Sequence, residues 1–396
     1  MTARRGARLV SLGMVCAAGA DRDAVHERLR AGSPLPEFTD SALASGRLVP
    51  YGMVTGSLPE IPARLQKYSS RNAQLLVAAY QQIAQSVEEA ARECGRERVA
   101  VVLGSSTSGI EEGTKAVAHA RKTGAMPAGY HLCQQDLGSP ALFLAAFADL
   151  HGVAYTISSA CSSSAKAIAC ARGLIELGLC DAVICGGGDS YATLTSNGFD
   201  ALGLVSDHRC NPSSIHRDGL NLGEGAALFL MRAQNGGIQL RGVGESCDAT
   251  HFSAPDPEGA GAVACIQLAL ADAGLLPAEI DYINLHGTAT RQNDAMESRA
   301  LVEVFGEGRV PPASSTKPLT GHTLGGAGAI EAGICWLTLA TQEARLPVHR
   351  YDGEIDPELP SIPLVDEGQT AVVSTVMSNS FGFGGSNCAL IMEGAS

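Results

Sequence analysis

The sequence predicts an α/β protein built from two similar halves. Three observations carry this. Short β-branched runs ending on glycine alternate with Ala- and Gly-rich helical stretches. Each half contains an Ala/Gly helix preceded by a polar turn that bears Cys or His. The 396 residues include 46 Gly but only 5% aromatics, so small residues must do much of the packing, with backbones in close approach.

The elements follow in order. Residues 8–12 read as a first strand that turns at Gly13. Arg4, Arg5 and Arg8 ahead of the apolar run 9–18 imitate a signal peptide, but Ser11 and Gly13 interrupt that run, which favours the strand. Residues 99–103 are a buried strand ending at Gly104, and 155–158 are another. A helix over 161–177 is closed by Gly178, as a C-cap requires. Residues 181–185, followed by Gly186-Gly187-Gly188, give the next strand and complete a strand–helix–strand unit. Residues 105–150 and 189–236 look like loop-rich insertions. In the second half, 239–243 read as a strand and 261–273 as a helix capped by Gly274. A strand over 280–285 runs into His286-Gly287, and a small-residue helix covers 326–342. The apolar runs 371–377 and 388–392 flank a glycine loop. The expected halves are 1–236 and 237–396, with no clear linker between them.

Composition excludes several classes. Apolar residues make up 45% and charged residues 17%, which is neither a disordered nor a coiled-coil composition. The net charge of −13 argues against a general nucleic-acid binder, which needs a basic face. No stretch is a clean span of ~20 apolar residues, so no membrane span is expected. The twelve cysteines form no Cys-x-x-Cys pair, so zinc-ribbon and thioredoxin readings lack their spacing. Cys170, Cys185 and Cys335 sit in apolar runs and read as small buried hydrophobes of a reducing cytosol.

Four motifs carry chemistry. In Ser158-Ser159-Ala160-Cys161-Ser162-Ser163-Ser164, a cysteine sits where a strand turns into a helix. Unpaired N–H groups and the helix dipole there favour an anion, which predicts a lowered thiol pKa and a nucleophile. The bland alternative, a buried structural cysteine, stands about even on this motif alone. In Asn284-Leu285-His286-Gly287-Thr288-Ala289-Thr290, a histidine ends a strand and two hydroxyls follow. Lys317 and His322 precede the glycines 325, 326 and 328. Asn379-Ser380-Phe381-Gly382-Phe383-Gly384-Gly385 is weak as a dinucleotide loop, because a strand and not a helix follows it. It suits a mobile loop closing over an apolar substrate.

Taken together, Cys161, His286, Lys317 and His322 in this order resemble the β-ketoacyl-acyl-carrier-protein synthases, the elongating condensing enzymes of fatty acid and polyketide synthesis. The resemblance covers nearly the whole chain and includes 104–109, Arg217-Asp218-Gly219 and Gly223-Glu224-Gly225-Ala226. It implies a thiolase fold, with duplicated α/β halves in a five-layered αβαβα core, and a cytoplasmic dimer. Cys161 would carry the acyl chain. The N–H groups of Cys161 and Phe383 would form the oxyanion hole. His286 and His322 would promote decarboxylation of malonyl-carrier protein, each with its tautomer fixed through its other nitrogen. Lys317 would pair with Glu297. Thr288 and Thr290 would hold the pantetheine arm, Ile110, Phe199 and Phe381 would line the acyl side, and Phe383 would be the gate. No metal or organic cofactor is implied. The expected partners are an acyl carrier protein and a second subunit, either a copy of this chain or a chain-length-factor-like protein.

An acidic carrier protein needs a local basic patch, for which Arg64, Lys67, Arg71, Lys115, Arg121 and Lys122 are candidates. Departures at 125–150, Ile215-His216 and Leu220 give the chain a weaker resemblance to aryl-polyene-type synthases. The rival readings are a non-catalytic chain-length factor, a degradative thiolase, an initiating synthase and a cysteine hydrolase. The first lacks the nucleophilic cysteine. The second needs a catalytic cysteine near the C-terminus, where Cys388 sits in an apolar strand. The third carries asparagine where His322 stands. The fourth has only the presence of Cys and His in its favour.

Overall fold

The computed structural model describes residues 6–30, 32–233, 236–341 and 345–394. Arg4, Arg5 and Gln342, the expected end of the small-residue helix, lie outside the described residues. The first half runs β1 (Ala7–Cys16), α1 (Arg22–Leu29), the hairpin strands β2 (Thr39–Ala42) and β3 (Leu48–Tyr51), α2 (Arg71–Gln81), α3 (Ala84–Cys94), β4 (Val99–Gly104), α4 (Ile110–Thr123), α5 (Ser139–Phe147), β5 (Ala154–Ile157), α6 (Ser163–Glu176), β6 (Ala182–Asp189), α7 (Thr193–Ala201) and β7 (Gly225–Ala233). The second runs β8 (Ile238–Cys247), α8 (Ala260–Ala273), β9 (Tyr282–Asn284), α9 (Arg291–Phe305), β10 (Ala313–Ser314), α10 (Lys317–Thr320), α11 (Ala327–Ala340), β11 (Thr375–Gly382) and β12 (Ser386–Glu393).

Ten strands hydrogen-bond in the order β10-β9-β11-β12-β8-β1-β7-β6-β4-β5. This is two five-stranded sheets, joined at a seam of two residue pairs, Arg8–Gln239 and Leu9–Ile238. The two sheets repeat one pattern. From β5 to β1, and again from β10 to β8, the pairings run parallel, parallel, antiparallel, antiparallel.

The helices complete the duplication. α6 and α11 occupy equivalent places, each leading into the middle strand of its sheet. They pack together with both sheets in one core that includes Leu12, Ile168, Phe229, Ile334 and Leu390. α2, α3 and α5 cover the outer face of the first sheet, through residues such as Leu76, Val87 and Phe143. α8 and α9 cover the second, through Ile266 and Leu301. The result is the five-layered αβαβα thiolase fold.

Several local expectations are corrected. β1 does not turn at Gly13 but continues to Cys16. Gly13 packs under the helix α2, where a Cβ would lie 2.0 Å from the carbonyl oxygen of Ala79. Residues 105–150 hold two helices, α4 and α5. Residues 189–236 hold α7 and β7, the latter a buried strand between β1 and β6 of the first sheet. Because β7 is covered on both faces, it lacks the alternation that marks a half-buried strand. The last sheet pair also shifts: β11 begins at Thr375 and runs through Gly382, so much of the glycine motif is strand. Among the described residues, no helix is long and apolar enough to cross a membrane.

Candidate active site

Cys161 stands in the turn from β5 into α6 and is 5% exposed. Ala160 before it has φ +52°, a left-handed conformation unfavourable for alanine. Serines hold the turn in place. Ser163 Oγ donates to the Ala160 carbonyl and accepts the Ser159 N–H at 2.9 Å. The cluster of serines around the cysteine therefore has a local structural reason.

His322 Nε2 lies 3.1 Å from Cys161 Sγ. The His286 and His322 rings meet edge to face, with centroids 5.3 Å apart. Both histidines are buried, and burial together with the nearby Lys317 charge holds both well below the usual imidazole range. Burial pushes the Cys161 thiol up to about 11, only partly opposed by the Phe383 N–H that donates to it and by Lys317. The net direction is the reverse of the lowering expected at a helix N-terminus. A thiol beside a neutral imidazole must therefore give up its proton as it reacts.

The backbone of each histidine loop is clamped. Glu297 accepts the N–H groups of His286 and Gly287, both at 2.8 Å. Lys317 Nζ donates to the His286 carbonyl from the other side and pairs with the Glu331 carboxylate. This corrects the expected partner: Lys317 is bound to Glu331 on α11, and Glu297 serves the His286 backbone directly. Burial raises both carboxyl groups to about 7, only partly opposed by the backbone N–H groups at Glu297 and by Lys317 at Glu331. The His322 N–H donates to Asn221 O at 2.7 Å, and its carbonyl accepts the Gly223 N–H at 3.0 Å.

The Nδ1 atoms of His286 and His322 are buried and have no hydrogen-bond partner among the described residues. The tautomers are thus not fixed by a second partner, contrary to expectation. The Cys161, His286 and His322 ligand atoms lie within 4.8 Å of one another. Metal-bound histidines almost always donate their other ring N–H to an acceptor, and among the described residues no protein group offers one to either ring.

The cavity over Cys161 measures about 520 Å³ with its open mouth. His286, His322, Thr288, Thr290, Phe199, Phe381 and Phe383 all line it. The Thr288 and Thr290 hydroxyls are 3.0 Å apart. Phe199 and Phe383 stack, with centroids 5.1 Å apart and planes at 24°. Leu204, Asp248, Ser253, Pro255 and Asn293 also line it and carry no motif that marks them in the sequence. Ile110, expected on the acyl side, is not among the residues that line this cavity; it opens α4 and is half-buried.

The basic candidates divide. Arg71 is withdrawn from the patch, because its guanidinium binds the fully buried Glu224 carboxylate and the Val54 carbonyl. Arg64 donates to Ala146 O and Phe147 O, and Lys67 lies over the Tyr68 ring at 4.9 Å. Lys115, Arg121 and Lys122 are exposed on α4.

Two family models match the chain, the beta-ketoacyl synthase N-terminal domain over residues 10–236 and the beta-ketoacyl synthase C-terminal domain over 238–349. A 3-oxoacyl-[acyl-carrier-protein] synthase 2 of Coxiella burnetii is 37% identical over 261 residues, which is 62% of this chain and 63% of that protein. A 3-oxoacyl-[acyl-carrier-protein] synthase 1 of Escherichia coli is 34% identical over 307 residues, 74% of this chain and 71% of its own. Among solved structures, the ketosynthase ApeO in complex with its chain length factor ApeC, from Xenorhabdus doucetiae, matches with a TM-score of 0.93 and 44% identity. That match covers 99% of this chain and 98% of the other.

Proposed function

Because the chain belongs to the β-ketoacyl synthase family, we propose that it catalyses decarboxylative condensation of a malonyl-carrier protein with an acyl chain held on Cys161. The observation that carries this is the buried Cys161–His322 contact of 3.1 Å with His286 facing the same cavity. In the first step, Cys161 Sγ attacks the acyl thioester of a carrier protein and its proton passes to His322 Nε2. The oxyanion meets the N–H groups of Cys161 and Phe383. Collapse expels the pantetheine sulfur, which takes the proton from His322. Before the second step the His322 ring proton moves from Nδ1 to Nε2 by exchange with solvent, and the thioester carbonyl of the malonyl group then accepts Nε2–H from the two histidines. Carbon dioxide leaves, and the carbanion attacks the acyl carbonyl on Cys161. The Cys161 sulfur leaves as a thiolate and takes up one proton from solvent, and a 3-oxoacyl product two carbons longer remains on the carrier. Free Nδ1 atoms suit this sequence, since the His322 Nε2 must accept in one step and donate in the next. Thr288 and Thr290 would hold the pantetheine arm, and Phe383 would move with the glycine loop as a gate.

The finer placement is polyketide synthesis of the aryl-polyene type, with a chain-length-factor-like second subunit. The 44% identity to a ketosynthase solved with its chain length factor supports this. A non-catalytic role for this chain is disfavoured by the presence of Cys161 and both histidines.

Incubation with a panel of acyl-carrier proteins, read by intact mass, tests the function. A thioester adduct on the wild type that is missing from Cys161→Ala supports it. No adduct with any acyl group, alone or with a co-expressed second subunit, defeats it.

Two further outcomes are expected. Since both histidine pKa values are lowered, both rings stay neutral through the ordinary imidazole range, and protonation sets in only at more acid pH. Carbon dioxide release from malonyl-carrier protein should therefore show no histidine inflection from about pH 6 to 8, where the buried carboxyl groups of Glu297 and Glu331, each raised to about 7, titrate instead. An inflection in that range that persists in the Glu297→Gln, Glu331→Gln double variant would overturn that assignment. His322→Ala should slow decarboxylation by about 10²-fold or more and acyl loading by less. An equal loss in both steps would make the thiol proton the main duty of His322. For docking, Lys67→Glu should raise KM for the carrier protein with kcat nearly intact. Unchanged kinetics would remove Lys67 from the patch.

A further inference from the structure

We propose that Asp189 is the positioning residue that sets the contact between Cys161 and His322. The proposal rests on the condensing-enzyme reading above, and no step of that reading uses Asp189. The residue ends β6 and is fully buried. Six neutral donors point at its carboxylate. Ser105 Oγ, the Ser106 N–H, Ser106 Oγ, the Thr107 N–H and Thr107 Oγ1 come from the turn after β4. The Gly325 N–H, at 2.7 Å, comes from the other half.

Two reactive loops meet at this carboxylate. Ser105 extends β4, and its N–H donates at 3.1 Å to the carbonyl of Ile157, where β5 leaves for Cys161. Gly325 lies three residues after His322, just beyond Leu324, whose φ of +53° is unfavourable for leucine. A Cβ on Gly325 would lie 2.5 Å from Ser106 N and 2.8 Å from Asp189 Oδ2, so its backbone is seated directly on the turn and the carboxylate. The Gly325 N–H is also 3.1 Å from Ser106 Oγ. On its other side, His322 is fixed by Asn221 and Gly223. The imidazole thus hangs between two clamps, one of which is Asp189. The same carboxylate holds the turn against which the Cys161 strand ends. Its negative charge also opposes ionisation of the Cys161 thiol.

Asp189→Asn tests this. The variant keeps the volume but turns an NH₂ toward donors that expect an acceptor. The expected result is a fall in kcat for condensation of about 10-fold or more per titratable Cys161, with KM for malonyl-carrier protein nearly unchanged. The pH profile of Cys161 alkylation by iodoacetamide should also move to lower pH. A merely structural role would lower the melting temperature and the yield of active sites, but would move neither readout. Wild-type kcat with an unmoved alkylation profile overturns the proposal. Should Asp189→Asn fail to fold, Ser106→Ala decides. It removes the hydroxyl shared by Asp189 and Gly325, and kcat should fall about threefold or more and return in Ser106→Thr. Equal rates in wild type and both Ser106 variants overturn the proposal. A wild type that neither loads nor condenses would sink the condensing-enzyme reading instead, and the alkylation profile would still judge Asp189.

Discussion

Cys161→Ala is expected to abolish condensation, with product formation falling on the order of 10⁴-fold or more. Among the described residues, the sulfur is the nucleophilic group that meets both His322 Nε2 and the Phe383 N–H. No neighbouring hydroxyl replaces it. Ser162 Oγ is engaged with Ser159 O and Ser386 Oγ, and Ser163 Oγ with Ala160 O. The two histidines stay in place in the variant, so malonyl-carrier protein should still lose carbon dioxide without forming a longer chain. Product analysis beside carbon dioxide release checks both halves of this expectation. Retained elongation would remove Cys161 from the nucleophile role. Loss of decarboxylation as well would mean that the sulfur helps to bind the malonyl group.

The second large effect concerns stability. Lys317 and Glu331 are 1% and 2% exposed, and each is the other's ionic partner. Removing one member of a buried pair leaves the other charge uncompensated, which costs about 3–5 kcal/mol. Lys317→Ala should therefore lower the denaturant midpoint sharply. It also leaves the His286 carbonyl without its donor, so decarboxylation should fall further than acyl loading. Glu331→Gln should be milder, and combining it with Lys317→Met should recover much of the stability lost in either charge deletion. A double-mutant cycle decides between partners. Lys317 with Glu331 should show a coupling of about 2 kcal/mol or more, and Lys317 with Glu297 clearly less. A larger coupling to Glu297 would restore the pairing that the sequence suggests.

That pairing shows where sequence reading reached its limit. Cys161, His286 and His322 each sit at the end of a run that punctuates strongly in the sequence, strand to Ser-rich helix start, strand to Gly, and Gly to helix. Their convergence was legible only through the family resemblance, since Cys161 follows β5 of the first sheet and His286 follows β9 of the second. Glu331 left a fainter signal: one acid in the otherwise apolar Ala327-Gly-Ala-Ile-Glu-Ala stretch of α11, a position where an unpaired carboxylate is costly. The family resemblance put Glu297 in that place, yet it accepts backbone N–H groups. β7 stayed hidden because a strand covered on both faces has no period to detect. Ile110 and Arg71 show the same limit from the other side. Sequence can supply their residue types, but not whether one faces the cavity or whether the other already has a carboxylate. Asp189 also escaped notice, since nothing in a Gly-Gly-Gly-Asp run says which loops will crowd round the acid.

The shared central layer has a consequence for how the chain is made. α6 and the inner face of the first sheet find their cover in α11, which begins 151 residues after α6 ends. At about 5–20 residues per second, a ribosome needs on the order of ten seconds to supply it. For that interval the first-half side of the core lacks the helix that closes it, although β7 and then β8, which both pair with β1, are made within it. The late helix carrying Glu331 brings the first-half side of the core its cover and Lys317 its ionic partner, and β11 and β12, made after it, add Val376 and Leu390 to the same core.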